Sequence, residues 1–248
     1  MKNYIFGIHA INAILQTQPQ RITHLFTQQG RSDKRLQELC DLAKQNGVSM
    51  QGLSKPELTE RCGSEQHQGV VAECQESKAL NENDLDDMLA SLNEPAFLLV
   101  LDGVTDPHNL GAILRSADAA GVHAVIATKD KAVGLTPAVR KVACGAAETM
   151  PFVQVTNLAR TMKQLQEQGV WLYGTSDKAK QNLYQTNLTG PIALVMGAEG
   201  KGLRHLTGEK CDHLVSLPMA GSVSSLNVSV ATGVCLFEIV RQRMASLK

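Results

Sequence analysis

Several common features are missing from this sequence of 248 residues. It has no apolar run long enough to cross a membrane, and its N-terminus lacks a signal-peptide cleavage pattern. The six cysteines form no CxxC pair and do not cluster with histidines, which argues against disulfides and a zinc site. These absences predict a soluble cytoplasmic protein that has reduced thiols, needs no metal and has no membrane partner.

An excess of either charge is missing as well. The chain has 24 basic and 24 acidic side chains, so it lacks the overall basic surplus that indicates a nucleic-acid partner. The acidic surplus is local: residues 77–94 carry one basic and five acidic side chains, whereas residues 95–248 carry 15 basic and 11 acidic ones. The distribution permits an RNA partner without requiring one.

The pattern of the chain divides it into three segments. Residues 1–76 are predicted to form a small α/β unit used for binding or docking, residues 77–94 an acidic linker, and residues 95–248 a larger α/β domain. The first 15 residues are typical of the first helix of a domain, with helical spacing over residues 7–15. Further predicted elements of this unit are a helix over residues 34–44 and strands over residues 21–27, 48–53 and 69–74. His67 is expected to be a structural or surface residue rather than a functional one.

The larger domain alternates strands with helices, which predicts a doubly wound parallel sheet. Its apolar strands are predicted over residues 97–101, 122–127, 152–155, 170–174, 192–196 and 214–217. One helix is predicted to begin at a cap formed by Asp106 or Asn109 and to end at Gly121. Further helices are predicted over residues 137–147 and 158–168 and from about Ser225 onward. In the linker, Asp84 is expected to cap a short helix with an apolar side.

Two of these strands end abruptly in small, permissive residues. Gly197, Gly200 and Gly202 follow the strand at 192–196, and Pro218 and Gly221 follow the strand at 214–217. Glycines directly after parallel strands favour a ligand cradled by main-chain groups at the carboxyl ends of the strands. Two ordinary tight turns would give the same pattern.

Five polar residues fall at this same end of the predicted sheet: Asn109, Arg115, Glu199, Ser225 and Asn227. Capping explains one or two of them, and Arg115 fits either a snorkelling side chain at a helix edge or a guanidinium directed at a phosphate. Their convergence favours an active site.

Three stretches carry a specific resemblance, in order along the larger domain: DGVTDPHNLGAILRSADAAGVHAVI, LVMGAEGKGL and LPMAGSVSSLNVSVATGVCLFE. They resemble the three motifs of the SpoU (TrmH) family of the SPOUT superfamily, which are S-adenosylmethionine-dependent RNA ribose 2′-O-methyltransferases. Residues 1–76 resemble the RNA substrate-binding domain of that family.

The resemblance implies a fold, a cofactor and a partner. The last strands and helix would form a C-terminal trefoil knot, and two copies would form a homodimer. S-adenosylmethionine would lie in the knot against seven motif positions: Gly197, Leu217 and Leu226, with Ala198, Gly200, Met219 and Ser224 nearby. The catalytic residues implied are Asn109, Arg115, Glu199, Ser225 and Asn227, and the expected reaction is 2′-O-methylation of a guanosine in 23S rRNA.

Other functions remain open from the sequence. The substrate could be tRNA, although the N-terminal unit argues against it, or the chain could be a non-catalytic RNA-binding relative. A nicotinamide dehydrogenase is disfavoured because no GxGxxG follows the first strand of the larger domain. Within the resemblance, family proposals make Arg115 the base. We favour a role in binding the target phosphate, with Glu199 as the other candidate base.

Overall fold

The structure is a computed structural model that describes residues 3–31, 33–75 and 80–246. Its contacts divide the chain into two units, Met1–Lys78 with Cys144–Thr149, and Ala79–Ala143 with Met150–Lys248. Among the described residues, no helix is both long and apolar enough to cross a membrane.

The first unit is built on a four-stranded sheet with the order β1-β4-β2-β3. Strand β4 is antiparallel to β1 and β2, and β3 is parallel to β2. Apolar side chains are buried on each of these strands, so the sheet supplies the core of the unit. The elements up to β4 are β1 (Asn3–Phe6), α1 (Ile8–Thr17), β2 (Ile22–Gln28), α2 (Lys34–Gln45), β3 (Met50–Leu53), α3 (Lys55–Cys62) and β4 (Val70–Cys74).

The prediction of a helix over the first 15 residues was wrong at its start. Asn3–Phe6 forms strand β1 because it pairs with β4, and α1 begins only after Gly7. Helix α3 was missed; Ser54 and Glu57 form a capping box at its N-terminus, a signal present in the sequence. His67 is buried, and its Nδ1 accepts a hydrogen bond from the Gly69 amide, so it has a structural contact as predicted.

The second unit is built on a sheet of seven parallel strands in the order β7-β6-β5-β10-β8-β11-β9. Strands β5 and β10 lie side by side in its middle, and every residue of both is buried, as expected for strands covered on both faces. The elements from α4 onward are α4 (Glu82–Ser91), β5 (Phe97–Asp102), α5 (Pro107–Ala120), β6 (Ala124–Thr128), α6 (Pro137–Ala143), α7 (Ala146–Thr149, grouped with the first unit), β7 (Phe152–Val155), α8 (Leu158–Glu167), β8 (Trp171–Thr175), β9 (Gln181–Asn182), β10 (Ile192–Gly197), α9 (His205–Lys210), β11 (His213–Ser216) and α10 (Val228–Ser246).

The predicted α/β class and the parallel sheet are confirmed. Helix α5 begins at the predicted cap Asp106, whose carboxylate accepts the His108 amide, and ends at Gly121 in a left-handed conformation. The trefoil knot stays a prediction.

Four details of the predicted elements were wrong. The helix over residues 137–147 is split into α6 and α7, because Cys144 and Gly145 have positive φ angles that a helix cannot contain. Asn81, not Asp84, caps α4; Asp84 lies three residues later and completes a capping box. Helix α10 begins at Val228 rather than near Ser225. Strand β9 and helix α9 were not predicted.

Part of the predicted acidic linker forms helix α4. Leu85 of this helix is buried in the core of the second unit, and Met88, Leu89 and Leu92 pack against that core. Residues 77–79 of the predicted linker lie outside the described residues.

Candidate active site

Because neighbouring strands of the second sheet are parallel, the loops after β8, β10 and β11 all emerge at one edge. These loops and the start of α10 surround a cavity of about 690 Å³, called the larger cavity below. All seven residues predicted to contact a cofactor line it: Gly197, Ala198, Gly200, Leu217, Met219, Ser224 and Leu226. Its size is within the range of small-molecule sites in proteins, roughly 300–1,000 Å³.

The wall formed by the β10 loop depends on glycine at the end of the strand. The chain reverses direction there, with paired backbone hydrogen bonds between Ala198 and Gly202 (N···O distances of 3.1 and 2.9 Å). A Cβ atom on Gly197 would overlap the carbonyl group of Gly202 and the amide nitrogen of Leu203. Glycine is therefore required for this reversal, and it leaves the backbone open toward the cavity.

Three of the predicted catalytic residues form one hydrogen-bonded cluster, here called the polar triangle: Asn109, Glu199 and Asn227. The Asn109 amide donates to Glu199 Oε2 at 2.8 Å, and the Asn227 amide donates to Asn109 Oδ1 at 3.0 Å and to Glu199 Oε1 at 3.3 Å. Asn109 is buried while Glu199 is exposed. A carboxylate in this arrangement is oriented by two amide donors and still faces the solvent.

Asn227 serves two purposes at the start of α10. Its Oδ1 accepts the backbone amide of Ser229 at 2.9 Å, as a capping residue does, while its Nδ2 is directed at the polar triangle. Capping and site formation, treated as alternatives in the sequence, are therefore combined in one side chain.

The other two predicted catalytic residues lie elsewhere. Ser225 lines the larger cavity. Arg115 is exposed on α5, six residues after Asn109 and so about 9 Å further along the helix axis. Among the described residues, those that line the larger cavity do not include Arg115.

Sequence reasoning missed an ion pair that holds the β10 loop. Asp102, at the end of β5, accepts the backbone amide of Arg204 at 2.9 Å, and its other oxygen lies 3.3 Å from the Arg204 guanidinium. The aspartate side chain is fully buried, whereas 48% of the arginine side chain is exposed. A charged residue closing an otherwise apolar buried strand was the signal that could have found it.

The loop after β8 was missed too. The larger cavity is also lined by Thr175, Ser176, Asp177 and Lys178. They follow a parallel strand, so the expectation that ligands bind at the carboxyl ends of such strands applies to them as well.

Burial raises the pKa of the Cys211 thiol to about 12, so the thiol stays protonated and is not a nucleophile.

A second cavity of about 420 Å³, called the smaller cavity below, also borders the β10 loop. Six residues line both cavities: Ala198, Glu199, Lys201, Gly202, Arg204 and Val228. Asn109 and Lys131 line the smaller one, together with residues of the loop after β5. Glu199 thus stands at the boundary between two cavities.

A parallel sheet with a ligand-sized cavity at the carboxyl edge of its strands is typical of α/β proteins that bind a small molecule there. The sequence model of the SpoU rRNA Methylase family matches residues 96–237, and that for RNA 2′-O ribose methyltransferase substrate binding matches residues 4–80. The chain belongs to the SpoU rRNA methylase family.

Curated relatives match over nearly the whole chain. A protein from Shewanella oneidensis is 61% identical over 98% of both chains, and one from Haemophilus influenzae is 58% identical over 99% of this chain and 100% of its own. One from Escherichia coli K12 is 56% identical over 98% of this chain and 100% of its own. Each is named 23S rRNA (guanosine-2′-O-)-methyltransferase RlmB.

Solved structures match the fold. The SpoU methyltransferase AviRb from Streptomyces viridochromogenes, in complex with the cofactor AdoMet, superposes with a TM-score of 0.79 at 27% identity, covering 98% of this chain and 91% of its own. An RNA 2′-O ribose methyltransferase superposes with a TM-score of 0.75 at 25% identity, covering 98% of this chain and 89% of its own.

Replacement of Asp102 by alanine is expected to destabilise the second unit. The change leaves the Arg204 amide without its acceptor and removes the buried charge, while the half-exposed guanidinium regains water. We expect the free energy of unfolding to fall by about 1–3 kcal/mol. Urea denaturation followed by the fluorescence of Trp171, the only tryptophan, measures this unit.

Asp130→Ala is the control, since Asp130 is exposed in a bend of the same sheet edge. It should remain within about 0.5 kcal/mol of the wild type. An Asp102→Ala protein as stable as the Asp130→Ala protein would contradict a stabilising role for the ion pair.

Proposed function

We propose that this chain transfers a methyl group from S-adenosylmethionine to the ribose 2′-hydroxyl of a guanosine in 23S rRNA. Membership of the SpoU family supports the reaction, and relatives at 56–61% identity named as 23S rRNA (guanosine-2′-O-)-methyltransferases support the substrate. The observation that carries the proposal is the polar triangle beside a cavity lined by all seven residues assigned to the cofactor.

The larger cavity fits S-adenosylmethionine in its chemistry. Leu217 and Leu226 offer apolar surface for an adenine ring, and the backbone near Gly197 is open because no Cβ could fit there. The SpoU methyltransferase AviRb, with the same fold, was crystallised with AdoMet. We assign cofactor contacts to Gly197, Leu217 and Leu226, with Ala198, Gly200, Met219 and Ser224 nearby.

The proposed mechanism depends on positioning. When bound, S-adenosylmethionine supplies a methyl group on a positively charged sulfur, so the chain must align the ribose hydroxyl and accept its proton. Glu199 is the proton acceptor in this proposal, held in orientation by the amides of Asn109 and Asn227. Ser225 orients the reacting groups from the cavity wall.

Arg115 is assigned to the RNA rather than to proton transfer. A guanidinium only donates hydrogen bonds, and its fork matches the oxygens of a phosphate. Its exposed position on α5 suits contact with a second macromolecule. We therefore assign Arg115 to binding the target phosphate and stabilising the negative charge that develops on the ribose oxygen.

We propose that residues 1–76 form the RNA substrate-binding domain, residues 77–94 the linker and residues 95–248 the catalytic domain. The match of residues 4–80 to the substrate-binding family supports the first assignment. Because rRNA is the proposed substrate, we place the protein in the cytoplasm.

The decisive test is transfer of labelled methyl from S-adenosylmethionine to unmodified 23S rRNA, with tRNA and small-subunit rRNA in parallel. We expect label on 23S rRNA alone, at one guanosine whose 3′ linkage resists alkaline hydrolysis, because that hydrolysis needs a free 2′-hydroxyl. Glu199→Gln, which keeps the size of the side chain but not its basicity, should lower the rate at least tenfold.

Label on tRNA only would contradict the proposed substrate while leaving the reaction in place. An absence of label on every RNA, together with an absence of S-adenosylmethionine binding in calorimetry, would overturn the methyltransferase assignment.

We further propose that two chains form a homodimer through α10. Val230, Phe237 and Met244 recur every seven residues on this helix and are 53%, 50% and 64% exposed. This spacing places them in one stripe, and an exposed apolar stripe is typical of a protein–protein contact. The opposite side of the helix holds the buried residues Cys235 and Ile239.

The double variant Val230→Asp/Phe237→Asp should be monomeric, because carboxylates in an apolar interface lose hydration without gaining a partner. Sedimentation equilibrium gives the mass in solution. Leu206→Asp is the matched control, since Leu206 is an exposed apolar residue on α9, and it should sediment as a dimer. A wild-type protein with the mass of one chain would contradict the proposed dimer.

A further inference from the structure

Three acidic and three basic side chains line the smaller cavity, so its formal charges balance. Its charged lining residues are Asp102, Asp106, Lys131, Glu199, Lys201 and Arg204. Each carboxylate already has a contact. Asp102 faces the guanidinium of Arg204, Asp106 caps α5, and Glu199 accepts hydrogen bonds from two amides of the polar triangle.

The two lysines differ from these carboxylates. Within the part of the chain that the structure describes, neither Lys131 nor Lys201 has a salt-bridge partner, and both are exposed. They come from separate loops, Lys131 from the one after β6 and Lys201 from the one after β10. Both ammonium groups are therefore available to contact an anionic ligand in this cavity.

The loop that carries Lys131 has a defined conformation. Lys131 has a positive φ of 56°, which is uncommon for a residue with a side chain. Two residues later, the Val133 amide donates to the Val104 carbonyl at 3.0 Å and ties this loop to the one after β5. Lys131 is thus presented by a loop that is anchored to another wall of the same cavity.

The shared wall connects the smaller cavity to the proposed chemistry. Glu199 lines both cavities, so a group held in the smaller cavity is next to the carboxylate that also borders the larger one. A volume of about 420 Å³ suits a ligand of nucleotide size. An acceptor hydroxyl held beside this carboxylate would lie next to a methyl donor in the larger cavity.

We propose that the smaller cavity holds the acceptor nucleotide, with the adjoining phosphodiester groups of the RNA strand on Lys131 and Lys201. This assignment rests on the proposed function and names a place for the substrate. Lys131 lines only the smaller cavity, whereas Lys201 lines both, so Lys131 gives the cleaner test.

The test compares the Lys131→Ala, Lys131→Gly and Lys131→Arg proteins. Loss of one phosphate contact should raise the KM for 23S rRNA about two- to fivefold, as expected for an exposed charge pair. It should also reduce the slope of log affinity against log salt by about 0.7–1. Lys131→Arg should stay close to the wild type, and calorimetry should give an unchanged Kd for S-adenosylmethionine in every variant.

Lys131→Gly separates charge from conformation, because glycine accepts the positive φ without strain but lacks the ammonium group. Its KM for 23S rRNA should rise as much as that of Lys131→Ala. Near-normal RNA affinity in Lys131→Gly alone would show that the loop conformation, and not the charge, is what RNA binding requires, and would overturn the proposal. Lys163→Ala, an exposed lysine on α8, is the control and should match the wild type in KM and salt slope.

The outcomes distinguish this assignment from the proposed function. If the wild type methylates 23S rRNA while Lys131→Ala matches Lys163→Ala in KM and salt slope, the acceptor subsite is wrong and the reaction stands. If the Kd for S-adenosylmethionine changes with Lys131, the smaller cavity belongs to the cofactor and the assignment is overturned. A wild type that methylates no RNA would overturn both.

Discussion

The reversal of the chain at the end of β10 is the constraint on which the site depends. Gly197 lies so close to the Gly202 carbonyl that a side chain is excluded, and paired hydrogen bonds between Ala198 and Gly202 close the loop. This reversal places Glu199 between the two asparagines of the polar triangle and makes one loop the wall of both cavities. The Asp102–Arg204 pair fastens the far end of that loop to β5.

Much of this arrangement could be predicted from local patterns. Continuous apolar strands alternating with helices gave the parallel sheet, and glycines directly after the strand at 192–196 marked the loop that forms the cavity wall. Asn109, Glu199 and Asn227 were predicted to converge because the carboxyl ends of parallel strands share one edge, and their hydrogen bonds confirm that they meet. The catalytic roles of these three residues remain a proposal.

What could not be predicted depends on contacts between distant parts of the chain. Asn3–Phe6 becomes a strand only because β4 offers a pairing edge about 70 residues later, and the helical spacing that follows it hid this. Asp102 and Arg204 meet across 102 residues, so no local pattern joins them. Arg115 shows the same limit: its helix and its spacing from Asn109 were correctly predicted, but the exposure of its side chain follows from packing.

The most direct measurement is a calorimetric titration of S-adenosylmethionine into the wild type and the Gly197→Ala and Gly221→Ala proteins. Gly221 has open space around it, so a methyl group there should leave binding unchanged. We expect Gly197→Ala to lose binding at least 100-fold while Trp171 fluorescence shows a folded second unit, because the reversal must open to admit the methyl group. Wild-type affinity in Gly197→Ala would contradict the claim that this backbone reversal builds the cofactor site.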